Sequence, residues 1–132
     1  MSVLVLVVDD EPDMEALFRQ QFRRDVRAGR FDLAFAADGT GALAEIGAAR
    51  GRDIILLLSD INMPGMTGLE LLHHARALRP DLPVIMVTAY GDAATRQAAM
   101  ERGAAGFLAK PIDFAALRAE IDARLAARDA PP

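Results

Sequence analysis

Three aspartates, a threonine and a lysine (Asp9, Asp10, Asp60, Thr88 and Lys110) are the residues of this 132-residue chain whose types could together handle a phosphoryl group. Each follows a short, strand-like apolar run: residues 3–8 stop at Asp9 and Asp10, 54–58 at Ser59 and Asp60, 84–87 at Thr88, and 107–109 at Lys110. If these runs are neighbouring parallel strands, their carboxyl ends share one edge of the sheet, where ligands bind in such folds. Carboxylates gathered there repel and resist joint ionisation unless a cation neutralises them. Mg²⁺, a hard ion with oxygen ligands that keeps some of its waters and shares a phosphate, is the natural partner. An aspartate whose charge is offset in this way can attack phosphorus and become an aspartyl phosphate. A hydroxyl and an ammonium beside it suit the phosphoryl oxygens.

Taken singly, each residue also has a plainer explanation. Asp9, Asp10 and Glu11 could merely supply negative charge to the start of the first helix, a lone aspartate at a strand end is ordinary, and threonine is common in strands. Asp60 gains its meaning from its company. Lys110 stands apart, because 14 of the 15 basic residues are arginine and it is the single lysine. A compact point charge is kept at one strand end in a chain whose default cation is a planar fork.

The elements that must position these groups alternate along the chain. Residues 3–8 are continuously apolar, as in a central strand covered on both faces. Pro12 suits a helix's first turn, and Met14, Leu17, Phe18, Phe22 and Val26 follow at helical spacing until Gly29, predicting one helix. A second strand over 31–36, an Asp38-Gly39 turn and an alanine-rich helix over 40–49 come next. After the third strand, Met63-Pro64-Gly65-Met66 is a loop, and Thr67 with Glu70 forms a capping-box pattern for a helix to Leu78. A strand over 83–87, a helix capped by Asp92 and ended by Gly103, a short strand over 105–109 and a last helix with Phe114, Leu117, Ile121 and Leu125 on one face complete the pattern. Five strands alternating with five helices predict an α/β fold: a doubly wound, five-stranded parallel sheet of order 2-1-3-4-5, a flavodoxin-like three-layer sandwich. The expected domain spans 1–128, with 129–132 as a tail or linker stub.

Composition narrows the function classes. The hydrophobic share of 52% and charged share of 26% are those of an ordinary globular domain, and the net charge of −4 offers no nucleic-acid surface. The absence of cysteine removes disulfides, thiolate metal sites and a cysteine nucleophile. With no signal-peptide pattern and no apolar run near the ~20 residues of a membrane span, a cytoplasmic protein without membrane contact is expected. Arg19, Arg23, Arg24, Arg27 and Arg30 make a basic face best read as solvated. His73 and His74 read as surface residues of the third helix.

The segments Val-Val-Asp9-Asp10-Glu11-Pro12, Leu-Ser-Asp60-Ile-Asn62-Met-Pro-Gly-Met-Thr-Gly68, Val-Thr88-Ala and Phe107-Leu-Ala-Lys110-Pro111 together resemble the response-regulator receiver domain, the phospho-accepting module of two-component signalling. The resemblance covers nearly all of residues 3 to 127. It implies that Asp60 accepts a phosphoryl group from a sensor histidine kinase, a histidine phosphotransfer protein or a small acyl phosphate. It also implies that Asp10, Asp60 and the backbone carbonyl of Asn62 bind Mg²⁺, with Asp9 holding it partly through water. Thr88 and Lys110 would contact the phosphoryl oxygens, and Phe107 would turn inward as Thr88 moves, remodelling the surface of the fourth helix, fifth strand and fifth helix. That surface would signal to a downstream protein or an output domain outside this chain, and receivers of this kind often pair weakly through it. Asn62 and Tyr90 would tune the phosphoryl lifetime, and the Lys110-Pro111 bond would be cis. Phe107 departs from the pattern in lacking a tyrosine's hydroxyl, so switching must rely on packing.

Such a domain catalyses its own phosphorylation and dephosphorylation without being a turnover enzyme. Two other readings compete. One is a receiver fold used as a phosphorylation-independent interaction module, against which the intact acid, threonine and lysine set argues. The other is a small Mg²⁺-dependent aspartyl phosphatase, which would want a carboxylate as general acid at position 62, where the chain has Asn.

Overall fold

A strand that is apolar at every position must be covered on both faces, and β1 (Leu4–Val8) is buried at all five residues. In the computed structural model, which describes residues 3–48, 51, 53–89 and 93–129, β1 is an interior strand of the sheet. It lies between β2 (Asp32–Ala36) and β3 (Ile54–Asp60), with β4 (Val84–Thr88) and β5 (Gly106–Ala109) beyond β3. All pairings are parallel and the order is 2-1-3-4-5, as the alternation predicts. The edge strands, β2 and β5, are the less buried ones.

The two sheet faces bury two separate cores. On one face Leu4, Leu6, Val8, Leu57, Val84 and Met86 pack with residues of α3 (Gly39–Gly47), α4 (Gly68–Leu78) and α5 (Ala93–Glu101). On the other, Val5, Val7, Leu56, Leu58, Ile85 and Val87 meet α1 (Asp13–Gln21), α2 (Arg23–Arg27) and α6 (Phe114–Asp129). A register shift between Leu4 and Val5 passes over Ile55 and keeps each face of β3 aligned with its own core. Among the described residues no helix is long and apolar enough to cross a membrane.

Local signals in the sequence set most helix ends. The Asp38 carboxylate accepts the Gly41 N–H at 2.7 Å to cap α3. Thr67 and Glu70 close the capping box of α4, with the Glu70 N–H donating to Thr67 Oγ1 at 3.2 Å and the Thr67 N–H to Glu70 Oε1 at 3.3 Å. Gly29 and Gly103 take φ of 74° and 95° where the chain leaves α2 and α5, a conformation that L side chains avoid. The Asp92 cap falls outside the described residues.

One expectation needs correction. The helical spacing of residues 14–26 predicted a single helix to Gly29, but the structure breaks it at Phe22 (φ −109°, ψ 18°) into α1 and α2, so the described residues hold six α-helices where five were expected. Tertiary packing overrides periodicity here. The buried Phe22 ring is wedged against Phe31 and Phe114, with centroids 5.7 and 5.9 Å away. Past the break, Asp25 turns inward to pair with Arg30 and with Arg118 at 3.4 Å, a network extended by Arg30 to Asp122 at 2.5 Å. Leu17, on the expected apolar stripe, is left 38% exposed.

Candidate functional site

Backbone hydrogen bonds carry the chain out of each strand and fix where the polar residues emerge. The Asp9 N–H donates to Ala36 O at 3.1 Å, Ile61 N–H to Val87 O at 3.0 Å, and Lys110 N–H to Thr88 O at 2.9 Å. Parallel pairing therefore brings Asp9, Asp60, Thr88 and Lys110 to one edge, although they are up to 101 residues apart in sequence.

The side chains converge there. Lys110 Nζ donates to Asp60 Oδ2 at 3.0 Å and to Asp9 Oδ2 at 3.2 Å, and reaches Glu11 Oε1 at 3.5 Å. The side chains of Asp9 and Asp60 are each only 7% exposed and that of Lys110 16%, so water screens these charges little. Burial pushes the Lys110 ammonium down, but hydrogen bonds to Asp60 and Asp9 and their negative charge outweigh it and hold the group above the usual lysine range. Lys110 is thus a fixed cation at physiological pH. The peptide bond that follows it, to Pro111, is cis.

Asp9, Asp10 and Asp60 each offer a carboxylate oxygen within 4.8 Å of the others. Three hard anionic oxygens, on the buried Asp60, the half-buried Asp9 and the exposed Asp10, are a donor set that fits Mg²⁺ with part of its hydration shell retained. An open cleft of about 390 Å³ walled by Asp9, Asp10, Glu11, Glu15 and Phe35 lies beside them. The Asn62 N–H donates to Asp60 Oδ1 at 3.2 Å, holding the start of the following loop against the carboxylate.

Thr88 is fully buried at the end of β4. Phe107 pairs with Met86 across the β4–β5 register, which puts it diagonally next to Thr88 on the same sheet face, half-buried against the core under α3–α5. His73 and His74 are exposed on α4. Tyr90 lies outside the described residues.

Two contributors were not singled out by residue type. Glu11 reads as a helix-start acid, yet it is the third carboxylate within reach of Lys110; its place directly after Asp9 and Asp10 was the available signal. Gly68 begins α4 where a Cβ would lie 2.3 Å from Asp60 O and 2.7 Å from Ile61 Cα. Its N–H donates to Ile61 O at 2.8 Å, closing the loop that leaves Asp60. Gly68→Ala is therefore expected to cost about 2 kcal/mol and lower the melting temperature by about 7 °C, because backbone must move. A thermal melt equal to wild type would show that α4 relaxes freely at this contact.

Comparison with known proteins places this geometry. A family model described as the response regulator receiver domain matches residues 5–122. The chain is 38% identical over 92% of its length to the C4-dicarboxylate transport transcriptional regulatory protein DctD of Rhizobium meliloti, and spans 25% of that protein. It is 37% identical over 96% of its length to the transcriptional regulatory protein PrrA of Mycobacterium tuberculosis, of which it spans 52%. The fold superposes with a TM-score of 0.83 on a CheY-like response regulator receiver domain protein from Methanospirillum hungatei, at 28% identity and covering 98% of both chains.

Proposed function

Because this chain belongs to the response regulator receiver domain family, whose general role is to accept a phosphoryl group in two-component signalling, we propose that Asp60 is its acceptor. The observation that carries the reading is the Lys110 ammonium, bonded to Asp60 Oδ2 at 3.0 Å and Asp9 Oδ2 at 3.2 Å on a largely buried edge. An Asp60 oxygen attacks phosphorus as the bond from phosphorus to the donor's leaving group breaks. That donor is a phosphohistidine of a sensor kinase or phosphotransfer protein, or a small acyl phosphate. Lys110 stays protonated and holds one phosphoryl oxygen, and the Thr88 hydroxyl donates to another. Asp9, Asp10, Asp60 and the backbone carbonyl of Asn62 would hold Mg²⁺, which supplies charge neutralisation at the phosphoryl oxygens.

The receiver unit spans 1–128 in this reading. Thr88 and Phe107, being diagonal neighbours, form the switch. Drawing Thr88 toward a phosphoryl oxygen frees space for the Phe107 ring and biases the surface of α5, β5 and α6. A downstream protein, or an output domain of the kind that occupies the remainder of the longer relatives, reads that surface. Asn62 and Tyr90 set how long the phosphoryl group survives by shielding the path of water.

The test is incubation with acetyl phosphate and a mass measurement with Mg²⁺ and with excess EDTA. A gain of about 80 Da in Mg²⁺ alone is expected. No gain under either condition would leave a phosphorylation-independent interaction module, and continuous release of phosphate over many turnovers would mark a phosphatase.

A further inference from the structure

The loop that leaves Asp60 is anchored at three places. Met63 is buried in the core, Gly68 packs on the Asp60 carbonyl, and Met66, half-buried, lies over Gly39 at the start of α3. Asn62, just before the first anchor, and Pro64 and Gly65, between the first two along the chain, are exposed, with Gly65 making the turn at φ 76°. Gly39 is itself buried and rigidly held, since Asp38 caps the helix that it begins. A Cβ on Gly39 would sit 2.6 Å from Met66 Sδ and 3.0 Å from both Cγ and Cβ of that methionine. The sulfur could swing aside, but Met66 Cβ cannot move without its backbone. A methyl group at position 39 therefore pushes on the 62–67 loop rather than on one flexible tip.

We propose that the contact of Met66 with Gly39 is a positioning clamp that sets the height of the Asn62 backbone above Asp60 and thereby tunes affinity for the divalent cation. The inference rests on the reading that Asp9, Asp10, Asp60 and the Asn62 carbonyl hold Mg²⁺. Neither residue of the clamp touches the cation. Each acts through the loop, as outer partners of metal ligands do when they orient them. Gly39 has no positive φ and occupies a helical position, so alanine there is favoured by helix propensity. Weakened binding in that variant would come from the clamp and not from a strained backbone.

Calorimetric titration with MgCl₂ of wild type, Gly39→Ala, Met66→Ala and the double variant tests this, alongside thermal melts in EDTA. Gly39→Ala is expected to bind Mg²⁺ about 10-fold more weakly while its metal-free melting temperature stays near that of wild type. Met66→Ala, which empties the clamp, is expected to weaken binding as well. Combining them removes Sδ and Cγ from the path of the new methyl group, so the double variant should bind more tightly than Gly39→Ala, a coupling that independent losses would not show. Wild-type affinity in Gly39→Ala, or a double variant no better than that single one, overturns the clamp while leaving the metal site standing. A wild-type protein with no saturable Mg²⁺ binding overturns both.

Discussion

Asp60→Asn is expected to reduce phosphoryl uptake from acetyl phosphate to background, with the mass gain of about 80 Da absent. The substitution is nearly isosteric, and the asparagine carbonyl oxygen can still accept the Asn62 N–H that Asp60 Oδ1 accepts at 3.2 Å, while the bond from Lys110 Nζ to Asp60 Oδ2 at 3.0 Å is given up because an amide NH₂ cannot accept it. What is lost is chemical. An amide oxygen is not a nucleophile toward phosphorus, and the acid cluster of Asp9, Asp10 and Asp60 falls from three carboxylates to two. The variant should therefore fold, bind Mg²⁺ more weakly and fail to react. An unchanged mass gain would move the acceptor to another residue, with Asp9, Asp10 and Ser59 the neighbours to map next.

Lys110→Ala separates two roles that the same ammonium plays. Without Mg²⁺, its removal leaves the Asp60 and Asp9 side chains, each 7% exposed, facing one another with no counter-charge. Breaking a buried pair from one side costs about 3 kcal/mol, so the metal-free melting temperature should fall by about 10 °C. Millimolar Mg²⁺ should restore most of that loss, because the dication takes over the neutralisation. Phosphoryl uptake should still fall by about 10² to 10³-fold in saturating Mg²⁺, as for loss of one preorganised donor to a developing anion. Lys110→Arg is not expected to rescue it, since a planar fork cannot set a single charge at the junction of two carboxylates. Wild-type uptake in either variant would remove Lys110 from the transfer step. Because the folded protein holds this ammonium above its ordinary range, its stabilisation is complete below the unfolded value of about 10.4 and is lost only as pH rises through the folded value. Lys110 should accordingly introduce no pH dependence of stability between about 6 and 9.

Much of this site is legible in the sequence alone. Continuous apolar runs ending in Asp9, Asp60, Thr88 and Lys110 mark parallel strands and their shared edge, because an interior strand covered on both faces is apolar throughout and polar groups are kept for the carboxyl ends, where such sheets bind ligands. The capping pair Thr67 and Glu70 and the helix-ending Gly29 and Gly103 act within a few residues of chain, so they too can be read directly. Phe22 could not. Its place in the apolar stripe is right, but the break it makes depends on Phe31 and Phe114, which arrive from other elements.

The sequence by itself determined the order of the elements, the residue types at the strand ends and the singular lysine. These depend on periodicity and composition, which are local properties of the chain. Only the tertiary structure decided which atoms meet. It set Lys110 between Asp60 and Asp9 with Glu11 as a third partner, and pressed Gly68 against the Asp60 carbonyl and Met66 over Gly39. Most of those contacts join residues far apart in sequence through strand register and close packing, and no spacing along the chain encodes a separation of a few ångströms across it.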